Sequence, residues 1–259
     1  IGEAAMAENI LTKTYRPSLT VGQVYARPYG STAAPTPIGN VLELDLEHDE
    51  DVQKQDDMTR MGGGVHAEVR RIKDITIKMK LADLNVVNLT RAVLGTAQAI
   101  TGGTVTGEEL TVTLGGLLRL AHLAPTALTL KKGADAATAT ALTVVGNVEI
   151  RPEGIYVLPE AKDLSNGDTL WVDYTYGEYA VIEALTTKAP ELELTFGGLN
   201  EADSGKPTLV EVWRVSQSVT KKLMLLGKDF GAIEVDGTVL QDPTKTGAGI
   251  SRYYRTSVV

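Results

Sequence analysis

Leu42-Glu43-Leu44-Asp45-Leu46-Glu47 is a strict alternation of apolar and acidic side chains. Successive side chains of an extended chain point to opposite faces. The spacing therefore predicts a half-buried β-strand with leucines inward and carboxylates outward. Residues 74–81 repeat the period: Ile75, Ile77, Met79 and Leu81 alternate with Asp74, Thr76, Lys78 and Lys80. Residues 191–196, 209–215 and 219–226 read as further strands. Residues 233–240 read as a hairpin turning at Asp236-Gly237, because Asp-Gly supplies the positive-φ positions of a tight turn. The fold class expected from these periods is mainly β.

One segment breaks the two-residue period. Val86, Leu89 and Val93 fall at i, i+3 and i+7, one face of a helix. Asp83 is placed to cap its first turn, and Gly95 to take the left-handed conformation that ends it. The expectation is a single helix covering an open face of a sheet.

Between the two alternating strands lie residues 49–64, which have no apolar periodicity. They read as a long polar loop, which in a compact domain is usually functional or disordered. Its candidate functional residues are Asp49, Glu50, Asp51, Asp56, Asp57, Met58, Arg60, Met61, Gly62, Gly63 and Gly64. Residues 42–57 hold eight acidic side chains against one lysine, so they carry nearly all of the formal net charge of −8.

Residues 124–176 differ in composition. They are rich in Ala, Thr and Gly, with turn signals at Lys132-Gly133, Gly146-Asn147, Pro152-Glu153-Gly154 and Asn166-Gly167-Asp168. The short apolar runs between these turns suggest a small β-sandwich or barrel. The expected organisation is a main domain of residues 6–123 and 177–259 interrupted by a small β domain at 124–176. Residues 1–5 precede a natural-looking start at Met6 and read as an expression remnant. Residues 109–117 and 191–199 share Glu-Leu, Thr and Gly-Gly-Leu at matching positions. Paired strands entering and leaving the insert, an old duplication, and chance recurrence of strand-turn chemistry each explain this match.

Several chemistries are excluded or unsupported. With 43% hydrophobic and 22% charged residues, the chain is too apolar for wholesale disorder. It contains no Cys, which rules out disulfides and thiol chemistry and fits folding in a reducing cytoplasm. No apolar run approaches the roughly 18 residues of a membrane span. The acidic balance opposes tight nonspecific DNA binding through phosphates. His48, His66 and His122 stand at no metal-ligand spacing. The acidic run lacks the glycine of a calcium loop, and neither Gly205-Lys206 nor Gly227-Lys228 completes a phosphate-binding loop. Carboxylates are plentiful, but 2 Trp and 2 Phe are few for a glycosidase-type cleft. The expectation is a protein that is not an enzyme, with no catalytic residue, metal or cofactor.

The order of elements carries a resemblance. An alternating strand and a polar loop lead to Lys78-Met79-Lys80-Leu81-Ala82-Asp83-Leu84-Asn85, a strand running into the helix. After the inserted module comes Thr220-Lys221-Lys222-Leu223-Met224-Leu225-Leu226-Gly227-Lys228-Asp229-Phe230-Gly231-Ala232-Ile233-Glu234-Val235-Asp236-Gly237, and then Ser251-Arg252-Tyr253-Tyr254. Over most of residues 20–257 this arrangement resembles the major tail tube proteins of long-tailed bacteriophages. Arg151-Pro152-Glu153-Gly154-Ile155 and Gly167-Asp168-Thr169-Leu170-Trp171-Val172-Asp173-Tyr174 resemble the β inserts of such proteins.

The resemblance implies a tail-tube-type β-sandwich or barrel with one flanking α-helix and an inserted small β domain. It implies a virion structural protein, made in the host bacterial cytoplasm, whose copies form homohexameric rings stacked into a hollow tail tube. DNA would pass through the lumen without specific binding. The implied partners are further copies of the chain, a tape-measure protein, a tail terminator and a distal tail protein, with no membrane. On this reading Glu43, Asp45 and Glu47 line the lumen and repel phosphates; the alternative is a solvated face on a monomer. The loop at 49–64 becomes a stacking arm, ordered by a neighbouring ring, with Met58 and Met61 as adaptable apolar anchors. The rival readings are a carbohydrate- or surface-binding β-sandwich module and, within the same class, a tail terminator or contractile-tail tube protein.

Overall fold

The computed structural model describes residues 17–228 and 231–259. The start expected at Met6 and the remnant at residues 1–5 lie outside the described residues. The fold is mainly β, with antiparallel sheets and one α-helix among the described residues. The chain divides into two units, Ile1–Thr96 with Ile182–Val259, and Ala97–Val181. The second unit is wider than the insert expected at 124–176, because strands before residue 124 join its sheets.

Among the described residues, the first unit is built on one eight-stranded sheet. Its strands are β1 (Thr20–Pro28), β2 (Thr36–Pro37), β3 (Val41–Asp56), β4 (Val65–Leu81), β14 (Glu191–Asn200), β15 (Lys206–Gln217), β16 (Ile233–Val239) and β17 (Tyr254–Val258). The spatial order is β2-β1-β14-β15-β16-β4-β3, with β17 pairing alongside β15. Alternation sends Val24 and Ala26, Leu192 and Leu194, Ile233 and Val235, and Ile75, Ile77 and Met79 to one buried face. Val24 of β1 and Leu46 of β3 belong to the same apolar cluster, although their strands lie toward opposite ends of the sheet. The sheet therefore curls around its core as an open barrel whose rims, β1 and β3, are not paired with each other.

The helix is shorter than expected. α1 (Val86–Ala92) is capped by Asn85, whose side chain accepts from Asn88 N at 2.8 Å. Asp83 instead accepts from Asn40 N at 2.8 Å, tying the helix entry to the start of β3. Asn88 and Ala92, one turn apart, form the buried face, and Asn88 Nδ2 donates to Ile38 O at 2.6 Å. Leu94, not Gly95, takes the left-handed conformation, with φ of 48°. Gly95 is needed for room: a Cβ there would stand 2.5 Å from Glu183 O.

Two expected elements near the C-terminus are corrected. Residues 219–226 are not a strand. Thr220 N donates to Ala92 O at 2.7 Å and Thr220 Oγ1 to Glu234 O at 2.8 Å, which folds the segment into a loop beside α1. Residues 233–240 are not a hairpin. Gly237 lies inside the continuous strand β16, opposite Ile77 of β4 and Gln217 of β15. A Cβ at Gly237 would sit 2.7 Å from Val215 Cγ1 and 3.2 Å from Ile77 Cγ2, so this glycine serves close packing and makes no turn.

The second unit contains β6 (Gly103–Thr111), β7 (Leu117–Arg119), β8 (Thr126–Lys132), β9 (Thr140–Leu142), β10 (Val148–Arg151), β11 (Gly154–Val157) and β12 (Thr169–Tyr176). They form sheets ordered β6-β12-β8-β9 and β10-β11-β7. Their shared core includes Leu130, Ile155, Leu170, Val172 and Tyr174. The two chain crossings, β5 (Thr96–Ile100) and β13 (Tyr179–Glu183), pair as a two-stranded ribbon. The nine-residue match shares structure only at its start. Residues 109–111 end β6 and the chain then bends at Gly115, whose φ is 72°, whereas residues 191–199 all lie within β14, whose pairing with β15 shifts register between Leu192 and Leu194.

Candidate functional site

β3 and β4 form one antiparallel hairpin, paired from Val41↔Leu81 out to Asp56↔Val65. The polar stretch expected as a loop from Asp49 is therefore strand through Asp56, and the turn is confined to residues 57–64. A return strand carrying Arg70, Arg71 and Lys73 gives the acidic residues of β3 cross-strand partners that the one-strand reading missed. Lys73 Nζ lies 3.1 Å from Asp49 Oδ2, Arg70 Nη1 lies 3.3 Å from Glu50 Oε2, and Lys54 Nζ lies 3.6 Å from Glu68 Oε2. Such exposed pairs add little stability singly, but they specify the register. A bulge at Leu42 shifts the alternation, so Leu42 is exposed while Leu44 and Leu46 reach the core.

Only residues 76–81 of β4 pair with β16. Residues 65–74 of β4 and the matching part of β3 continue beyond it as an arm of two strands, exposed on both faces. At about 3.3 Å per residue, the arm extends about 30 Å past the end of β16.

Nearer the core, the acidic row on β3 meets two further strands. Paired residues share a face, so register builds three cross-sheet rows: Glu234-Lys80-Glu43, Asp236-Lys78-Asp45 and Thr238-Thr76-Glu47. The neighbouring positions Ile233, Val235, Ile77 and Met79 are buried, which places these rows on the outward face. Lys80 Nζ lies 3.4 Å from Glu43 Oε1, and Lys78 Nζ lies 2.7 Å from Glu47 Oε1. The Glu47 hydrogen bond, joined by the charges of Asp236 and Asp45, raises the Lys78 pKa above its ordinary value. Five carboxylates against three ammoniums, Lys78, Lys80 and the Lys221 that pairs with Asp236, leave the patch negative. Glu43, Asp45 and Glu47 are thus brought together, and Glu234 and Asp236 are the members that the sequence reading missed. The signal was present, since both stand in the alternation of residues 233–239.

The arm ends in a turn that its residues dictate. Asp57 Oδ1 accepts from Thr59 N at 2.9 Å, and Arg60 Nε lies 3.3 Å from Asp57 Oδ2. The Thr59 hydrogen bonds hold the Asp57 carboxyl below its usual range. Gly62, Gly63 and Gly64 all have positive φ, of 94°, 51° and 149°, which explains the three consecutive glycines. Asp57 N donates to Gly64 O at 2.7 Å and closes the turn. Met58 and Met61, 89% and 103% exposed, stand at its outermost point.

Two other places hold polar side chains together. A cleft of about 460 Å³ on the outward face of β1, β14 and β15 is lined by Tyr29, Glu193, Glu211, Trp213 and Asp242, among others. Its carboxylates are already engaged: Glu193 by Arg27, Glu211 by Arg255, and Asp242 by Tyr29 Oη at 3.1 Å. Lys245 Nζ stands 4.2 Å from the Trp213 ring centroid, so the ring is not an open platform for a sugar. In the second unit, Tyr174 Oη donates to Glu108 Oε2 at 2.7 Å, and His122 stacks on Tyr176 at 3.6 Å. Among the described residues, no three His, Asp or Glu side chains converge as a metal site. No helix among them is long and apolar enough to cross a membrane.

The model of one protein family, described as Protein of unknown function UCP028589, matches residues 17–257. No curated protein matches the chain.

Proposed function

The chain belongs to the UCP028589 family, and we propose that it is the structural subunit of a hollow tube, of the kind that forms the tail of long-tailed bacteriophages. The observation that carries the reading is the sheet that stops short of closing. Among the described residues, its rim β3, 16 residues long, has no strand on its outer side, and β1 meets only the two-residue β2 at Tyr25 and Ala26. Unpaired edges of this length are an association hazard unless another chain covers them. Joining β3 of one copy to the open rim of the next satisfies both edges and continues the sheet around a ring, with six copies as the expected number.

The outward acidic patch supports the second half of the reading. Turned inward in the ring, the rows of Glu43, Asp45, Glu47, Glu234 and Asp236 make a negative lumen wall that repels DNA phosphates and lets a duplex slide. The tape-measure protein, tail terminator and distal tail protein are then the other expected contacts, and the virion tail is the expected location.

Negative-stain electron microscopy across a concentration series tests the proposal. Six-fold rings or hollow tubes are the expected result. In tubes of the triple variant Glu43→Lys, Asp45→Lys, Glu47→Lys, added duplex DNA should be retained where the unaltered tubes release it. Monodisperse monomers at every concentration would overturn the proposal.

A further inference from the structure

The two ends of the β4 direction carry different exposed apolar groups. At one end is the arm tip with Met58 and Met61. At the other, where Leu81 pairs with Ile233, the β15–β16 loop passes α1. Thr220 N anchors this loop on Ala92 O at 2.7 Å, and a Cβ at Gly231 would lie 3.7 Å from Leu84 Cδ1. Between these points in sequence Leu225 and Leu226 are 85% and 96% exposed, and Val86 and Val87 of α1, the helix to which Thr220 ties the loop, are exposed as well. Solvent-facing leucines and valines grouped this way mark an interaction surface.

Charge separates the two ends as well. The loop carries Lys221, Lys222 and Lys228, of which only Lys221 has an acidic partner, Asp236, among the described residues. The tip carries Asp56, Asp57 and Arg60 beside its methionines, with Arg60 paired to Asp57, so one negative charge remains. Roughly 50 Å of strand separates the tip from the loop, so one copy cannot satisfy both.

We propose that the arm tip of one copy docks on the loop at residues 221–228 and the exposed face of α1 in a second copy. Met58 and Met61 pack on Leu225 and Leu226, with Asp56 facing Lys222 and Lys228. The contact is head-to-tail: the two patches differ and lie at opposite ends, so it propagates along the β4 direction and does not close on itself. This deepens the tube reading by naming the surface that receives the arm, and it rests on that reading only in taking the partner to be another copy.

The absence of cysteine from the chain makes a clean test. Met61→Cys and Leu225→Cys proteins are mixed and oxidised. The mixture should give disulfide-linked dimers in several-fold higher yield than either protein alone or than Met61→Cys mixed with Val145→Cys. Adding Lys222→Glu and Lys228→Glu to the Leu225→Cys protein should lower that yield several-fold. A mixture no better than its controls overturns the proposal, as does vesicle sedimentation showing that Leu225 and Leu226 instead bind anionic lipid. Rings in the microscope without the cross-link would sink this contact and leave the tube reading standing; the cross-link without rings would do the reverse.

Discussion

Tyr174 joins burial to a hydrogen-bond network at the scale of one residue. It is 1% exposed, donates to Glu108 at 2.7 Å and accepts from His122 N at 3.3 Å. Burial first, and then the hydrogen bond to Glu108, push its phenol pKa above the ordinary 10.0. A raised acid stabilises the fold in its protonated form. Its contribution is therefore whole below about pH 10 and is lost as pH rises toward the folded value. Tyr174→Phe should destabilise the second unit by about 1–3 kcal/mol at neutral pH and should flatten the alkaline limb of its stability curve. The measurement is convenient because the two tryptophans fall in different units, Trp171 in the second and Trp213 in the first. Urea unfolding followed by Trp171 fluorescence in a Trp213→Phe background reads the second unit alone. An unchanged midpoint at pH 7 would mean that the Glu108 contact contributes nothing net. The carboxylates of Asp168, held down by Lys132, and Asp173, held down by Lys131, give the opposite limb. Their support is present above about pH 4 and is lost as pH falls through their lowered values.

At the scale of elements, the hairpin of β3 and β4 separates what sequence could show from what it could not. The alternation at Leu42–Glu47 and at residues 74–81 was legible because one face of each strand is buried, and burial writes a period into the sequence. The arm beyond them has both faces in water, so no period marks it and it read as a loop. What specifies the arm is pairing between strands, Asp49 with Lys73 and Glu50 with Arg70, which no window along one strand reveals. The same blindness produced the opposite errors at the C-terminal end. Residues 219–226 are apolar enough for a strand, yet their leucines face outward, and Asp236-Gly237 has turn chemistry that the packing of β16 overrides. The acidic row was half legible: its β3 members alternate plainly, whereas its lysine and β16 members emerge only from register. An arm held by ladder bonds exposed on both sides should open locally at low cost. Its amides at residues 50–55 and 67–72 should exchange at least tenfold faster in the free subunit than those of β14, and should become protected in assemblies. Hydrogen exchange by mass spectrometry on both states checks this, and equal exchange in the two would remove any role for the arm in assembly.

At the scale of the molecule, the two units divide the work of the chain. Every strand of the open sheet, both of its rims, the acidic rows, the arm and the loop at residues 221–228 belong to the first unit. The second unit has its own core and sheets and leaves the first through one paired ribbon, β5 with β13. A unit attached in this way adds loop-closure entropy to the first, and that cost grows only slowly with the length inserted. Replacing residues 101–178 by a short glycine-rich turn between β5 and β13 should therefore leave the first unit folded. Its urea stability, read by Trp213, should stay within about 1 kcal/mol of the intact chain. If ring closure runs through β3 and the open rim, and stacking through the arm, the shortened protein should still form rings and tubes. The tubes should differ from those of the intact chain by the mass of the second unit. Shortened protein that folds but stays monomeric would move the assembly contacts to the second unit and refute the assignment of both interfaces to the open sheet.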